Sequence, residues 1–190
     1  LYQKDFNGRL DLAGGTARLE ACTPFSKVRA SAFVTASSPV LALEIEAESA
    51  EATELQVTLE RWGSRTFAHW MGVVNGDASI GLDGTQTSVD GNTILIRQEL
   101  RNLHFVVGAR LVDGDSKARR LHQRAGRFEC PGGRKKRFTV LLTVVTSENV
   151  DDPEGKVLAI LNRAEVAGTA AIRAEHEAEW RAFWDAAFVD

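Results

Sequence analysis

Regular alternation of apolar and polar residues constrains this chain more than any other feature. In segment 40–48 every second residue is apolar, and three of the residues between them are glutamates. Because successive side chains of a strand point to opposite faces, this period of two predicts an antiparallel sheet with one face in water. The pattern recurs in segments 9–13, 16–22, 27–36, 55–59, 93–97 and 103–111. Segment 138–145 is apolar at both parities, which predicts a central strand covered on both faces.

Turn and helix signals divide the chain into a strand-rich part and a helical part. The pair Gly14-Gly15 accepts positive φ angles and predicts a tight hairpin between the first two strands. After position 150 the period changes. Asp152 is a favourable N-cap, Pro153 suits the first helical position, and apolar residues follow at helical spacing.

These signals predict a mainly β protein, an antiparallel β-sandwich with C-terminal linker helices. About nine to eleven strands followed by helices are typical of that class. A closed β-barrel is the second architecture that the pattern allows. We expect residues 1–150 to form the sandwich domain and residues 151–190 to form a helical linker that leads to a further, catalytic domain.

The last helix should carry an aromatic stripe on one face. Its members recur at spacings of three and four residues, and we call them the aromatic stripe: His176, Trp180, Phe183, Trp184 and Phe188. A helix with two tryptophans on one face needs a large apolar partner surface. We therefore predict that the stripe packs between domains, and that His176 also hydrogen-bonds to the sheet domain.

Motifs of catalysis and metal binding are missing from the sequence. None of the four histidines has a second ligand at i+2 or i+4, and no Gly-x-Ser-x-Gly elbow, phosphate loop or dinucleotide fingerprint occurs. We predict no catalytic residue, metal or cofactor in this chain, and whether it is an enzyme stays open. Glu44, Glu46 and Glu48 are interpreted as a solvated strand face rather than a catalytic pair. Two free, buried thiols at Cys22 and Cys130 are favoured over a disulfide.

One stretch is strongly basic. Segment 117–137 holds nine lysines or arginines against one glutamate. It has little aromatic interleaving, so a solvated hairpin with Gly132-Gly133 at its tip is favoured over nucleic-acid binding. A docking edge for an acidic surface of another domain is the alternative. No apolar run approaches about 18 residues, so no membrane span is predicted.

A glycine-rich stretch follows the first strands and contains the most plausible ligand-binding residues. Trp62, His69 and Trp70 lie in segment 62–90, where periodicity is weak. Aromatic side chains on a loop can stack on the apolar faces of sugar rings. A loop that is held in place by its own aromatics is the favoured reading, and sugar binding by these three residues is the alternative.

Two segments resemble one family. Residues 29–48 with 55–62, and the tail His176-x-x-x-Trp180-x-x-Phe183-Trp184-x-x-x-Phe188, resemble the N-terminal β-sandwich and linker helix of glycoside hydrolases with an (α/α)6 catalytic barrel. The α-L-fucosidase-like group with its uncharacterised relatives is the most similar. Sugar phosphorylases of the maltose and kojibiose type have a similar linker.

The resemblance implies a function for the chain as part of a larger enzyme. It would be the non-catalytic N-terminal domain of a carbohydrate-active enzyme, packing on the barrel and helping to shape its active-site cleft. Its partners would be the C-terminal catalytic domain and, through the parent enzyme, carbohydrate, with neither nucleic acid nor membrane. An autonomous carbohydrate-binding module and a protein-interaction domain are the alternatives. An extracellular or periplasmic location is favoured, although the sequence does not fix it.

Overall fold

A computed structural model describes residues 5–61, 84–100 and 103–187. Within these ranges nine strands precede two helices. The strands are β1 (Asp5–Asp11), β2 (Thr16–Cys22), β3 (Ser26–Val34), β4 (Leu41–Glu60), β5 (Gln86–Asp90), β6 (Thr93–Leu100), β7 (Leu103–Val112), β8 (Lys117–His122) and β9 (Ala125–Thr146). The helices are α1 (Pro153–Ala167) and α2 (Thr169–Ala186). No helix in the described residues is both long and apolar enough to cross a bilayer.

All strand pairs are antiparallel, in the order β1-β2-β3-β4-β9-β7-β6-β5, and β8 pairs with β9 off this path. The predicted fold class, mainly β with an antiparallel sheet and C-terminal helices, is therefore confirmed. In the described part of the chain the order begins at β1 and ends at β5. Within the described residues the sheet is therefore open, and it does not form the closed barrel that the sequence allowed as the second architecture.

Two long strands turn this sheet into a sandwich. β4 and β9 pair over most of their length, with register shifts between Glu48 and Leu55. On one side of these shifts, residues 55–60 of β4 and 125–130 of β9 form a second layer with β8. This layer folds over β5 and β6. The Thr87 hydroxyl of β5 donates to the Gln123 carbonyl oxygen at 3.0 Å. A β-carbon on Gly126 of β9 would lie 2.6 Å from Ile94 Cγ2 of β6, so the two layers touch closely there.

Two details of the strand prediction are wrong. Segments 40–48 and 55–59 are not separate strands but parts of β4, because the sheet absorbs the intervening residues in bulges. The turn of the basic hairpin lies between β8 and β9, at residues 123–124, and not at Gly132-Gly133. Those glycines lie inside β9, where Gly133 pairs with Thr53 at the shift in register. Glycine is favoured at such bulges because it has no side chain to place.

The central strand β9 borders two cores. Leu141 and Val145 face α1 and belong to a core between the sheet and the helices. Phe138 and Val140 face the opposite way, into a core between the two layers of the sandwich. The prediction of a strand covered on both faces at 138–145 is confirmed.

Helix α1 begins where the sequence predicts. The Asp152 side chain accepts a hydrogen bond from the Gly155 backbone N–H at 3.0 Å, and Pro153 follows at the first helical position. Close approach of the helix to β7 depends on Gly108, because a β-carbon there would overlap Val157 and lie 3.0 Å from Leu161 Cδ1. Arg110, which is 8% exposed, donates to Asn162 Oδ1 at 2.6 Å from the same strand.

The cysteines are unpaired. Cys130 is buried in the core between the layers, and Cys22 is partly exposed at the end of β2. The prediction of two free thiols is confirmed, but the expected burial of Cys22 is wrong. Cys22 closes β2 opposite Asp5 of the edge strand β1, where no further strand of the described chain covers it.

Candidate functional site

The candidate site is built around α2 and the surface on which it lies. Gly168, with φ of 82°, separates the two helices and sets the direction of α2. In this region the spacing of the aromatic stripe gives a single face, as the sequence predicts. Successive rings contact one another: His176 and Trp180 are 6.0 Å apart between centroids, and Trp180 and Phe183 are 5.4 Å apart.

His176 fixes α2 to the first hairpin and to the end of β3. Its Nδ1 lies 3.1 Å from the Val34 carbonyl oxygen, and its Nε2 lies 3.0 Å from the Gly14 carbonyl oxygen. The side chain is 2% exposed. A carbonyl oxygen is an acceptor, so the imidazole ring hydrogen-bonds to the sheet by donating its N–H. The ring also packs on Phe33, with centroids 4.9 Å apart.

The two indoles of the stripe share one acceptor. Trp180 Nε1 donates to the Leu12 carbonyl oxygen at 2.7 Å, and Trp184 Nε1 donates to the same oxygen at 3.0 Å. Gly15, with φ of 57°, makes room for this arrangement, since a β-carbon there would lie 2.7 Å from Trp180 Cδ2. The Gly14-Gly15 turn that the sequence predicted is therefore also the surface on which Trp180 packs.

Charged groups hold the same helix on its flank. The Arg173 guanidinium pairs with Glu44 of β4 and lies 4.6 Å from the centre of the Phe33 ring. The Glu179 carboxylate accepts from the Ala36 and Ser37 backbone N–H groups, both at 2.9 Å. The Ser37 hydroxyl, together with these backbone N–H groups, holds the pKa of the Glu179 carboxyl below its ordinary value. Neither Arg173 nor Glu179 was singled out from the sequence.

Part of the stripe stays in solvent. Phe183 is 55% exposed and Trp184 is 37% exposed, although their rings contact each other edge to face at 5.3 Å. His176 and Trp180 thus contact their own sheet, as was expected for His176, and the outward-facing rings are those nearer the helix end. Phe188 lies outside the described residues. The interdomain role of the stripe stays a prediction.

The other candidate residues separate into two groups. Trp62, His69 and Trp70 lie outside the described residues, so their sugar-binding role stays a prediction. The three glutamates of β4 are not equally solvated, because Glu44 has only 17% of its side chain exposed. That part of the prediction is wrong, since α2 covers one end of the strand.

The basic segment is neutralised within the sheet at several points. Lys135 lies 3.7 Å from Glu48, and Arg137 lies 3.6 Å from Glu46, in each case directly across the β4–β9 pair. Such cross-strand pairs leave less free positive charge for an acidic partner than the sequence suggests. Among the described residues no group of three or more His, Cys, Asp or Glu side chains could hold a metal ion.

Comparison with known proteins gives likeness of fold. No family model matches the sequence, and no curated protein matches it. Among solved structures, a putative kojibiose phosphorylase from the human microbiome superposes with a TM-score of 0.67 at 17% identity, covering 97% of this chain and 25% of the phosphorylase. A bacterial glucoamylase complexed with acarbose superposes with a TM-score of 0.53 at 10% identity, covering 96% of this chain and 29% of the glucoamylase. The chain thus spans between a quarter and a third of these structures.

Proposed function

We propose that this chain is the non-catalytic N-terminal domain of a carbohydrate-active enzyme, a glycoside hydrolase. Its work is to pack on an (α/α)6 catalytic barrel and to help shape the active-site cleft. The fold likeness to part of two enzymes, a kojibiose phosphorylase and a glucoamylase, supports this proposal.

One observation carries the proposal. Phe183 is 55% exposed at the end of a helix whose preceding aromatic residues are already fixed on the sheet. The helix therefore does not need Phe183 to hold its own position. A half-exposed aromatic ring beside an exposed indole, on a rigid support, is typical of a contact for another protein surface.

Phe183→Ser in the full-length gene product and in this chain alone tests the proposal. We expect about 1.5–3 kcal/mol of destabilisation in the full-length protein, because the ring is buried there against the catalytic domain. In the isolated chain we expect a smaller loss, about 0.5–1 kcal/mol, because half of the ring is already in solvent and only its contacts with Trp180 and Trp184 are lost. Urea unfolding followed by tryptophan fluorescence measures both free energies.

Val166→Ser is the matched control, since Val166 is an 88% exposed apolar residue on the neighbouring helix α1. It should change neither protein. An equal loss in both proteins from Phe183→Ser would place its role inside this domain and contradict the proposal. A gene product that ends at Asp190 would also contradict it, as would hydrolysis of an aryl glycoside by this chain alone after repurification.

A further inference from the structure

A groove crosses the outer face of the sheet beside α2. It encloses about 460 Å³ and spans β1 to β4. Three spacings between neighbouring strands give it a length of roughly 14 Å. Its polar lining comes from side chains that point to the same face in successive strands: Asn7, Arg9, Arg18, Glu20, Arg29, Ser31, Glu44 and Glu46.

Every carboxylate of this groove already has a cationic partner. Glu20 lies 2.9 Å from both Lys27 and Arg29, and these two hydrogen bonds hold the pKa of its carboxyl below the ordinary value. Glu44 is paired with Arg173 of α2, and Glu46 is within 3.6 Å of Arg137. The negative charge of each of these glutamates is thus compensated by a neighbouring lysine or arginine.

Two arginines at the other end of the groove have no such partner. Arg9 and Arg18 lie directly opposite each other across the β1–β2 pair. Neither forms an ion pair with any residue in the described ranges, and both are exposed. Like charges directly opposite on neighbouring strands destabilise a sheet. The groove therefore carries uncompensated positive charge at one end and hydrogen-bonding groups along the rest.

We propose that Arg9 and Arg18 bind the carboxylate of an acidic sugar, a hexuronate, whose hydroxyl groups lie along the groove towards Asn7. Guanidinium groups match a planar carboxylate with paired hydrogen bonds, and such charge-assisted bonds are stronger than neutral ones. The Asn7 amide offers both donors and an acceptor, as sugar hydroxyls require, whereas the Ser31 hydroxyl already donates to Glu44 and accepts from Arg173. That the ligand is a sugar rests on the proposed function, whereas the preference for a carboxylate rests on the two arginines.

Isothermal titration of the protein with D-glucuronate, D-glucose and acetate tests this site. We expect glucuronate to bind most tightly, glucose to bind at least tenfold more weakly, and acetate to bind more weakly than glucuronate. Binding should weaken with added salt, because the arginines are exposed. Arg9→Gln and Arg18→Gln should each weaken glucuronate binding by about tenfold to a hundredfold, which is typical for loss of a charge-assisted hydrogen bond.

Arg134→Gln is the matched control. Arg134 is also exposed and forms no ion pair with the described residues, but it borders a different depression on the surface. This variant should bind glucuronate like the unchanged protein. Because Arg18→Gln removes one of two opposed like charges, its melting temperature should equal or exceed that of the unchanged protein.

Three outcomes would overturn the inference. They are absence of glucuronate binding, equal binding of acetate and glucuronate, and equal weakening by the Arg134 and Arg18 variants. Equal binding of acetate would mean that a bare carboxylate is recognised and no sugar. None of these outcomes depends on Phe183 or on a neighbouring domain, so failure here is distinguishable from failure of the proposed function.

Discussion

Single side chains of α2 determine how this helix is held on the ends of the strands. His176 contacts the carbonyl oxygens of Gly14, in the first hairpin, and of Val34, the last residue of β3, and it does so with almost no exposure to solvent. Glu179, one helical turn later, accepts from two further backbone groups of the turn after β3. Together they satisfy backbone polar groups that would otherwise need water.

Glu179 gives the fold a predictable response to acid. Its pKa is lowered in the folded state from an ordinary value of 4.5, mainly by hydrogen bonds from Ser37 and Ala36. A lowered folded pKa means that the stabilisation is complete above the unfolded value and is lost as the pH falls through the folded one. We expect Glu179→Gln to cost about 1 kcal/mol at pH 7, discounted for partial exposure.

Urea unfolding of the unchanged protein and of Glu179→Gln between pH 7 and pH 3 measures this effect. The difference in unfolding free energy should shrink as the pH falls below 4.5. Glu177→Gln on the same helix is exposed and serves as the control, with no expected difference at either pH. A difference that grows towards acid pH would show that the assigned hydrogen bonds do not stabilise the ionised form.

For single residues, the sequence indicates which side chains hold the helix better than it indicates the atoms that they contact. The spacing of His176 and Trp180 placed both on one helical face, and His176 was expected to hydrogen-bond to the sheet. The carbonyl acceptors at Leu12 and Gly14 carry no signal in the sequence, because every residue has a carbonyl group. The pairing of Glu44 with Arg173 joins residues that are 129 positions apart, which no local pattern reveals.

Secondary-structure elements in this protein are shaped by where glycine allows close packing. Gly108 on β7 lies directly beneath α1, between Val157, Leu161 and Leu95. The absence of a side chain there lets the helix approach the strand. Gly126 plays the corresponding part between the two layers of the sandwich, against Ile94.

Gly108→Ala should therefore destabilise the protein by about 1–3 kcal/mol, the usual cost of adding a methyl group to a packed core. The added β-carbon would overlap Val157, and the backbone of a buried strand cannot easily shift. Gly132→Ala is the matched control, because no atom lies within 4 Å of a β-carbon at that position and its φ is not positive. Thermal or urea unfolding of the two variants compares them directly. Equal stabilities would contradict the close packing of α1 on β7.

Strands and helix starts followed from periodicity and capping, whereas the continuity of the long strands did not. Local alternation is interrupted near residues 49–54, and the sequence therefore suggested a break in what is one strand, β4. Pairing with β9 carries the strand through the interruption, which is a tertiary effect. The pair Gly132-Gly133 has the composition of a turn, which is also a local signal. Pairing of Gly133 with Thr53 across the bulge keeps both glycines inside β9.

Across the whole molecule, the protection of backbone amides against hydrogen exchange should be highest in β9 and should decrease towards the edges of the sheet. The C-terminal half of β9 borders both cores, whereas β1 pairs on one side only in the described sheet and its Phe6 and Leu10 are 60% and 65% exposed. Regions with few buried contacts open at lower free energy than the core. The stability of the fold is therefore expected to be uneven.

Amide hydrogen exchange followed by mass spectrometry tests this gradient. We expect amides in Leu141–Thr143 to exchange only with global unfolding, and those of β1 to exchange at least a hundredfold faster, roughly the effect of a 3 kcal/mol difference in opening free energy. Strand β5, at the other end of the sheet, should be intermediate because Thr87 is buried against the turn between β8 and β9. Uniform exchange across β1 and β9 would contradict the two-core arrangement.

The fold class was accessible from the sequence because period two, period 3.6 and the switch between them are local properties. The candidate groove was not, since its arginines come from β1, β2 and β3 and its acids from β2 and β4. Their neutralisation by Lys27, Arg137 and Arg173 depends on the register of the sheet. Only the assembled sheet shows which charges are compensated.

The shared acceptor at Leu12 makes the intrinsic tryptophan fluorescence of the protein sensitive to the position of one hairpin. Two of the four tryptophans report, through one oxygen atom, on the geometry of the hairpin that also carries Arg9 and Arg18. Any movement of that hairpin alters the surroundings of both indoles together. The wavelength of tryptophan fluorescence emission can therefore report a movement of the edge strand without a dye, a label or a second molecule.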